Sequence, residues 1–210
     1  MAARSHQACG AAGTGLVAGR MWHREEVVIR PAVAADRDWI ASALVERWGS
    51  TVMVTRGQQR DAAALEALVA VELVAEHGLE RVGLLTYRVD GEGLEVVTID
   101  ALRARCGIGT ALLAFATQIA RDADATRLWL ITTNDNLSAI CFYQRRGFRI
   151  IAVHRGAVDR ARVLKPSIPL VAGNGIELHD ELELELTLTP VSDAPISADG
   201  LPGDAPPSVR

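Results

Sequence analysis

The chain has 210 residues, a formal net charge of −4 and 49% hydrophobic residues. That suits one domain of ordinary size with its own core, and it argues against a disordered chain and against a general nucleic-acid binder. Three cysteines, Cys9, Cys106 and Cys141, are odd in number and lack a CxxC spacing; they fit a reducing, cytoplasmic setting and offer no metal site. No apolar run reaches the roughly 18 residues of a membrane span.

In chain order, residues 1–23 are rich in Ala and Gly and too thin in large apolar residues for a signal peptide. They read as a flexible leader, or as an extension ahead of a start at Met21. EVVIRPA (26–32) reads as a strand stopped by Pro31, and Asp36 as the cap of a helix running to about Arg47, with Trp39, Ile40, Ala43 and Leu44 on its apolar face. WGSTVMVTRGQQRD reads as a loop with a short extended piece at 51–55. The next stretch, 61–78, is ambiguous: Asp61 caps a short helix and a buried strand follows. Residues 80–100 form two strand-like runs around the turn Asp90-Gly91-Glu92-Gly93, a hairpin. After a Gly-x-Gly and an amphipathic helix come a strand at 127–133, a helix ended by Gly147, and a strand at 148–154. DELELELTL (180–188) alternates with period two, which predicts leucines on a core and glutamates in water. Residues 190–210 hold five of the eight prolines and read as a disordered tail. The folded unit is 24–189, an α/β pattern with a mixed sheet.

The glycines Gly107 and Gly109 stand between a strand and a helix, where free N–H groups and the helix dipole face an anion. A Walker A loop is excluded because Thr110 and Ala111 follow Gly109 instead of Lys-Ser/Thr. A dinucleotide fingerprint is excluded because Leu112 stands where the third glycine belongs. By itself the pair is compatible with a plain turn. ARCGIGTALL (104–113), however, resembles the acyl-CoA pyrophosphate loop of the GNAT superfamily of N-acetyltransferases. NLSAICFYQRRGF (136–148) is similar to a second GNAT signature, matched at Asn136, Ala139, Tyr143, Gly147 and Phe148. One departure stands out: the loop's first Arg or Gln is replaced by Ala104, with Arg103 and Arg105 beside it.

The resemblance implies a sheet splayed after strand four, mostly antiparallel and flanked by helices, and acetyl transfer from acetyl-CoA to a primary amine of a small molecule or protein, without a metal. It implies that the pantetheine arm pairs with the strand edge carrying Val97, Ile99 and Asp100. The Ile99 N–H would polarise the thioester carbonyl, and Arg105, Cys106, Gly107, Ile108, Gly109 and Thr110 would wrap the pyrophosphate. Tyr143 becomes the general acid for the leaving thiolate, against the plainer reading of a core aromatic. Glu95, on the same strand with Val97 and Ile99 on one face, becomes a candidate base, against that of an exposed hairpin residue. His77 is the weaker alternative, and water is a third. Asn136 binds the pantetheine or simply caps its helix. Trp48, Ser50 and Arg56 are the expected acceptor-binding residues, with core closure the other reading of Trp48. Seven cations against the lone Asp159 between Arg145 and Lys165 form a local patch, suited to attracting an anionic cofactor or docking an aminoacyl-tRNA. The 4% aromatic content weakens the second use. A non-catalytic acyl-CoA sensor is the alternative in another class. A monomer or homodimer is expected.

Overall fold

A computed structural model describes residues 27–74, 78–91, 93–103 and 106–188. The expected leader and tail, His77, Ala104 and Arg105 lie outside these residues. Strands β1 (Val27–Pro31), β4 (Glu66–Val74), β5 (Gly78–Asp90), β6 (Gly93–Ala101), β7 (Arg127–Thr133), β8 (Arg149–His154) and β9 (Glu181–Thr187) build one sheet in the order β1-β4-β5-β6-β7-β9-β8. Every neighbouring pair is antiparallel except β6 and β7. A parallel pair needs a crossover, and helix α2 (Ile108–Asp122) supplies it.

The sheet is covered on both faces. On one face Leu112, Leu113, Ala116 and Ala120 of α2 bury against Leu85, Leu94, Val96, Leu128 and Leu130, joined by Tyr143 of helix α3 (Leu137–Gln144). On the other, Ile40 and Leu44 of helix α1 (Arg37–Trp48) pack with Met53, Val69 and Leu84. Helix α4 (Ala157–Leu164) packs on the strand holding Met53 and buries Ala157, Val158 and Ala161.

Several expectations change. The loop after α1 is a two-stranded ribbon, β2 (Val52–Thr55) and β3 (Gln58–Asp61), turning at Arg56 and Gly57 with both φ positive. This is the mirror-image turn that matches strand twist. Asp61 caps only a single 3-10 turn, Ala62–Ala64. Asp36 does not cap α1 through its side chain; fully buried, it accepts from Val33 N–H and pairs with Arg30 and Arg81. Helix α4 was hidden in the cation-rich run. The glutamates of β9 do not face water. Glu181 and Glu183 are buried, and Glu183 pairs with Arg127 and His154. The alternation is real, but the second face lies against Trp129's side of the sheet, beneath the ribbon. The cation run is also not one patch. Arg162 is tied to the carbonyls of Pro169 and Leu178, and Lys165 to that of Val52.

Candidate active site

Strands β6 and β7 touch at only three register pairs, Leu94–Leu128, Glu95–Trp129 and Val96–Leu130. Beyond them the strands part. The cause lies in β6: Thr86 opposes Thr98 and Tyr87 opposes Val96, so Val97 is an extra residue relative to β5. Such a bulge bends a strand and resets which face its side chains take. Leu94, Val96 and Ile99 therefore join the α2-side core, while Val97 joins the α1-side core. The expectation that Glu95, Val97 and Ile99 share one face is thus corrected: Glu95 and Val97 do, and Ile99 is on the opposite one. Leu102 N–H bonds to Val82 O. By the alternation of an antiparallel ladder, Asp100 and Thr98 also turn their backbone groups to β5, and Ile99 turns its N–H and C=O into the gap.

The gap is a cleft of about 970 Å³. It brings together Val97, Ile99 and Asp100 of β6, Gly107, Ile108, Gly109 and Thr110 at the start of α2, Asn136 and Tyr143 of the α3 region, and Trp48. Gly107 holds the α2 N-cap with φ +78, and no side chain caps the helix. The first-turn N–H groups therefore remain available to an anion in the cleft. Gly109 has a second reason to be glycine: a Cβ there would sit 3.2 Å from Phe142 Cζ, where α2 meets α3. Arg146 lies over the Phe142 ring and donates to Thr110 Oγ1 at 2.5 Å. Because the guanidinium is donor-only, this contact uses Thr110 as acceptor and leaves its hydroxyl proton for the cleft. Arg47, Arg103 and Arg145 also line the cleft; Arg47 pairs with Asp100, the one carboxylate of the lining, and Arg103 with Glu72 and Glu80, so Arg145 and Arg146 supply most of the field that favours an anionic cofactor.

Tyr143 is 6% exposed, with its ring edge-on to Phe142 at 5.2 Å and tilted against Phe148 at 5.5 Å. Burial, and secondarily the charge of Asp100, push its phenol well above the ordinary value of 10. It is held neutral, as a proton donor. Asn136 caps α3 through Oδ1, which accepts from Ala139 N–H and Ser138 Oγ, while the residue also lines the cleft. Trp48 gives its Nε1–H to Asp100 Oδ2 at 2.6 Å and spans from α1 to β6. Cys106 packs half-exposed against the core, and Ser50 accepts from Val52 N–H in a turn; neither lines the cleft.

Glu95 and Arg56 sit elsewhere, at a smaller chamber of about 300 Å³ on the α1 face of the closed end of the gap. Glu95 is 2% exposed, so it is not an exposed hairpin residue, and it takes a 2.5 Å contact from Arg88 Nε. Arg60, Arg88, Asp90 and Trp129 complete the chamber with Thr55 and Gln58 from the ribbon.

The Acetyltransferase (GNAT) family profile matches residues 37–148. The chain belongs to this family. The uncharacterized protein YdhI of Bacillus subtilis (strain 168) is 38% identical over 156 residues, covering 74% of this GNAT chain and 95% of its own. Among solved structures, an IAA acetyltransferase from Bacillus cereus ATCC 14579 superposes with a TM-score of 0.54 at 22% identity, covering 77% of this chain and 99% of that one. A GNAT acetyltransferase from Elizabethkingia anophelis with acetyl-CoA bound superposes with 0.53 at 21% identity, covering 79% and 100%. These likenesses show the GNAT fold, and membership supports acetyl transfer as the class of reaction. No helix among the described residues is long and apolar enough to cross a membrane.

Sequence reasoning missed Arg60, Arg88 and Trp129, and read Arg146 only as one cation of the run from Arg145 to Lys165. Arg146 fills a position the second GNAT signature leaves unspecified. Arg88 did carry a signal: it interrupts an apolar strand shortly before a turn.

Proposed function

We propose that the protein transfers the acetyl group of acetyl-CoA to a primary amine. The observation that carries this reading is the one cleft holding both the open α2 N-terminus and, at its wall, the unionised hydroxyl of the mostly buried Tyr143. The pyrophosphate suits the N–H groups of Ile108, Gly109 and Thr110, with Thr110 Oγ1–H and the rim arginines. The pantetheine suits the unpaired edge of β6, and Ile99 N–H serves as donor to the carbonyl oxygen as charge develops there. The amine nitrogen attacks the thioester carbon, the C–S bond breaks, and Tyr143 gives its proton to the departing sulfur. The proton lost by the amine passes to Glu95, directly or through water in the chamber.

This reading is favoured over an aminoacyl-tRNA acceptor because the cations that suggested RNA are dispersed: two line the cleft and others hold the loop after α4. The test is CoA-thiol release across a panel of amines, alongside calorimetric binding of CoA. Steady release with an amine is expected. Tight CoA binding with no release from any amine would overturn catalysis in favour of a sensing module.

A further inference from the structure

Every donor buried in a folded protein is expected to find an acceptor, and each exception asks for a reason. Among the described residues the buried polar side-chain atoms without a hydrogen bond are Arg60 Nε, Trp129 Nε1 and Glu72 Oε2. Glu72 Oε2 has its charge partner in Arg103. The other two are both donors, and both belong to residues lining the chamber beneath the ribbon. Trp129 is 1% exposed. Arg60 Nε lies 4.0 Å from Glu95 Oε2, beyond hydrogen-bond reach.

The charges point the same way. Arg88 serves both acids of the chamber, Asp90 and Glu95. Arg60 also faces Glu95 and donates to Gln58 Oε1, and with Arg56 the lining carries three cations to two carboxylates. Arg56 is held there at a cost. Its φ of +51 is a left-handed conformation that non-glycine residues rarely adopt. Its N–H bonds to Oε2 of the buried Glu181, and its guanidinium sits 5.5 Å from the Trp129 ring centre.

We propose that this chamber seats the acyl acceptor, and that the acceptor is a small amine bearing a carboxylate or an equivalent oxyanion, received by Arg60, Arg56 and Trp129 Nε1–H. The proposal rests on the acetyl-transfer reading above. A volume of about 300 Å³ holds roughly ten non-hydrogen atoms at the ~30 Å³ a liquid water occupies, the size of an amino acid. Position fits as well. Glu95 and Trp129 oppose each other one rung before the last pair of the seam, so an amine anchored by its oxyanion extends past Glu95 toward the thioester.

The test uses the full chain loaded with acetyl-CoA, a series of ω-amino acids of two to six carbons, and their primary amides. Acceptor binding is read by calorimetry on the CoA complex and turnover by thiol release. At least one acid is expected to bind, and to react with kcat/KM roughly tenfold or more above its amide, the scale of a hydrogen bond to a charged group. Arg60→Met should abolish that preference and leave CoA affinity unchanged. Should Arg60→Met fail to fold, Trp129→Phe, which keeps a ring and removes the N–H, should narrow the preference in the same direction. Amides that match the acids, a preference that survives these substitutions, or no acid bound at all would each overturn the proposal. Selective, Arg60-dependent binding without thiol release would keep the oxyanion chamber and sink the transfer reading. Release with amides alone would do the reverse.

Discussion

Replacing Tyr143 with Phe removes one oxygen and leaves the ring between Phe142 and Phe148. No described residue hydrogen-bonds that hydroxyl, and it does not rank among the buried unpaired atoms, so it borders the cleft. Removing a hydroxyl with no protein partner is close to neutral for folding, and the melting temperature should move by no more than about 2 °C, the scale of a few tenths of a kcal/mol in a domain of this size. The effect belongs in the rate. Positioned acid catalysis is worth about 10²–10⁴-fold, and a thiolate is a fair leaving group, so kcat should fall by roughly 10–100-fold on that scale. KM for acetyl-CoA should hold, because the lost interaction exists only as the C–S bond breaks. The phenol is pushed far above its ordinary value, so the deficit should be constant across roughly pH 6–9, with no alkaline limb of its own. Thiol release and thermal unfolding on one preparation decide the matter. Full activity with saturating amine would refute Tyr143 as the acid. A lower melting temperature with normal kcat would return it to the core.

Gly109→Trp should weaken CoA binding at least tenfold by calorimetry, since the side chain would crowd Phe142 and screen the α2 N–H groups; unchanged affinity would remove the helix N-terminus from the phosphate site. Asp36→Asn should cost about 2–3 kcal/mol at neutral pH by denaturant unfolding, toward the low end for a broken buried pair because Arg30 and Arg81 are partly exposed. Its hydrogen bond from Arg30 holds the Asp36 carboxyl well below the carboxylate range. That stability is present above the unfolded value of 3.8 and is lost as pH falls, so the variant should lose less on acidification than the parent. Glu181 is the opposite case: burial raises its carboxyl above the ordinary 4.5. The native state keeps that proton to higher pH than the unfolded chain, so stability falls as pH rises through the window above 4.5. Glu181→Gln should flatten that decline in unfolding curves, and equal slopes for the two proteins would refute the assignment.

The cleft was legible in the sequence because its chemistry is local. Gly107, Gly109, Asn136 and Tyr143 lie in two short segments whose resemblance to GNAT signatures, and not their period alone, implied one shared site. Val97 was not legible as a bulge, since an extra residue is defined only against β5. That one residue is why Ile99 changed face while Glu95 stayed with Val97. The glutamates of β9 misled for a related reason. Alternation reports that a strand has two faces and is silent about what covers the second, here the β2–β3 ribbon. The ribbon was read as a loop because its Gln58, Gln59 and Arg60 have no apolar alternation; its pairing and its docked tip hold it. The chamber was invisible for the same reason: Arg60, Arg88, Glu95 and Trp129 come from four separate strands.

The seam between β6 and β7 has a mechanical consequence. Seven register pairs join β7 to β9, but three join the two halves of the sheet. The ladder of the sheet is shortest at this seam, where α2 crosses between the two strands and one apolar core of Leu94, Leu128 and Leu130 spans both halves. A long thin cofactor lying in the slot would add the missing rungs itself. Amide exchange along the seam, at Leu94–Val96 and Leu128–Leu130, should then be slower in the loaded protein than in the empty one.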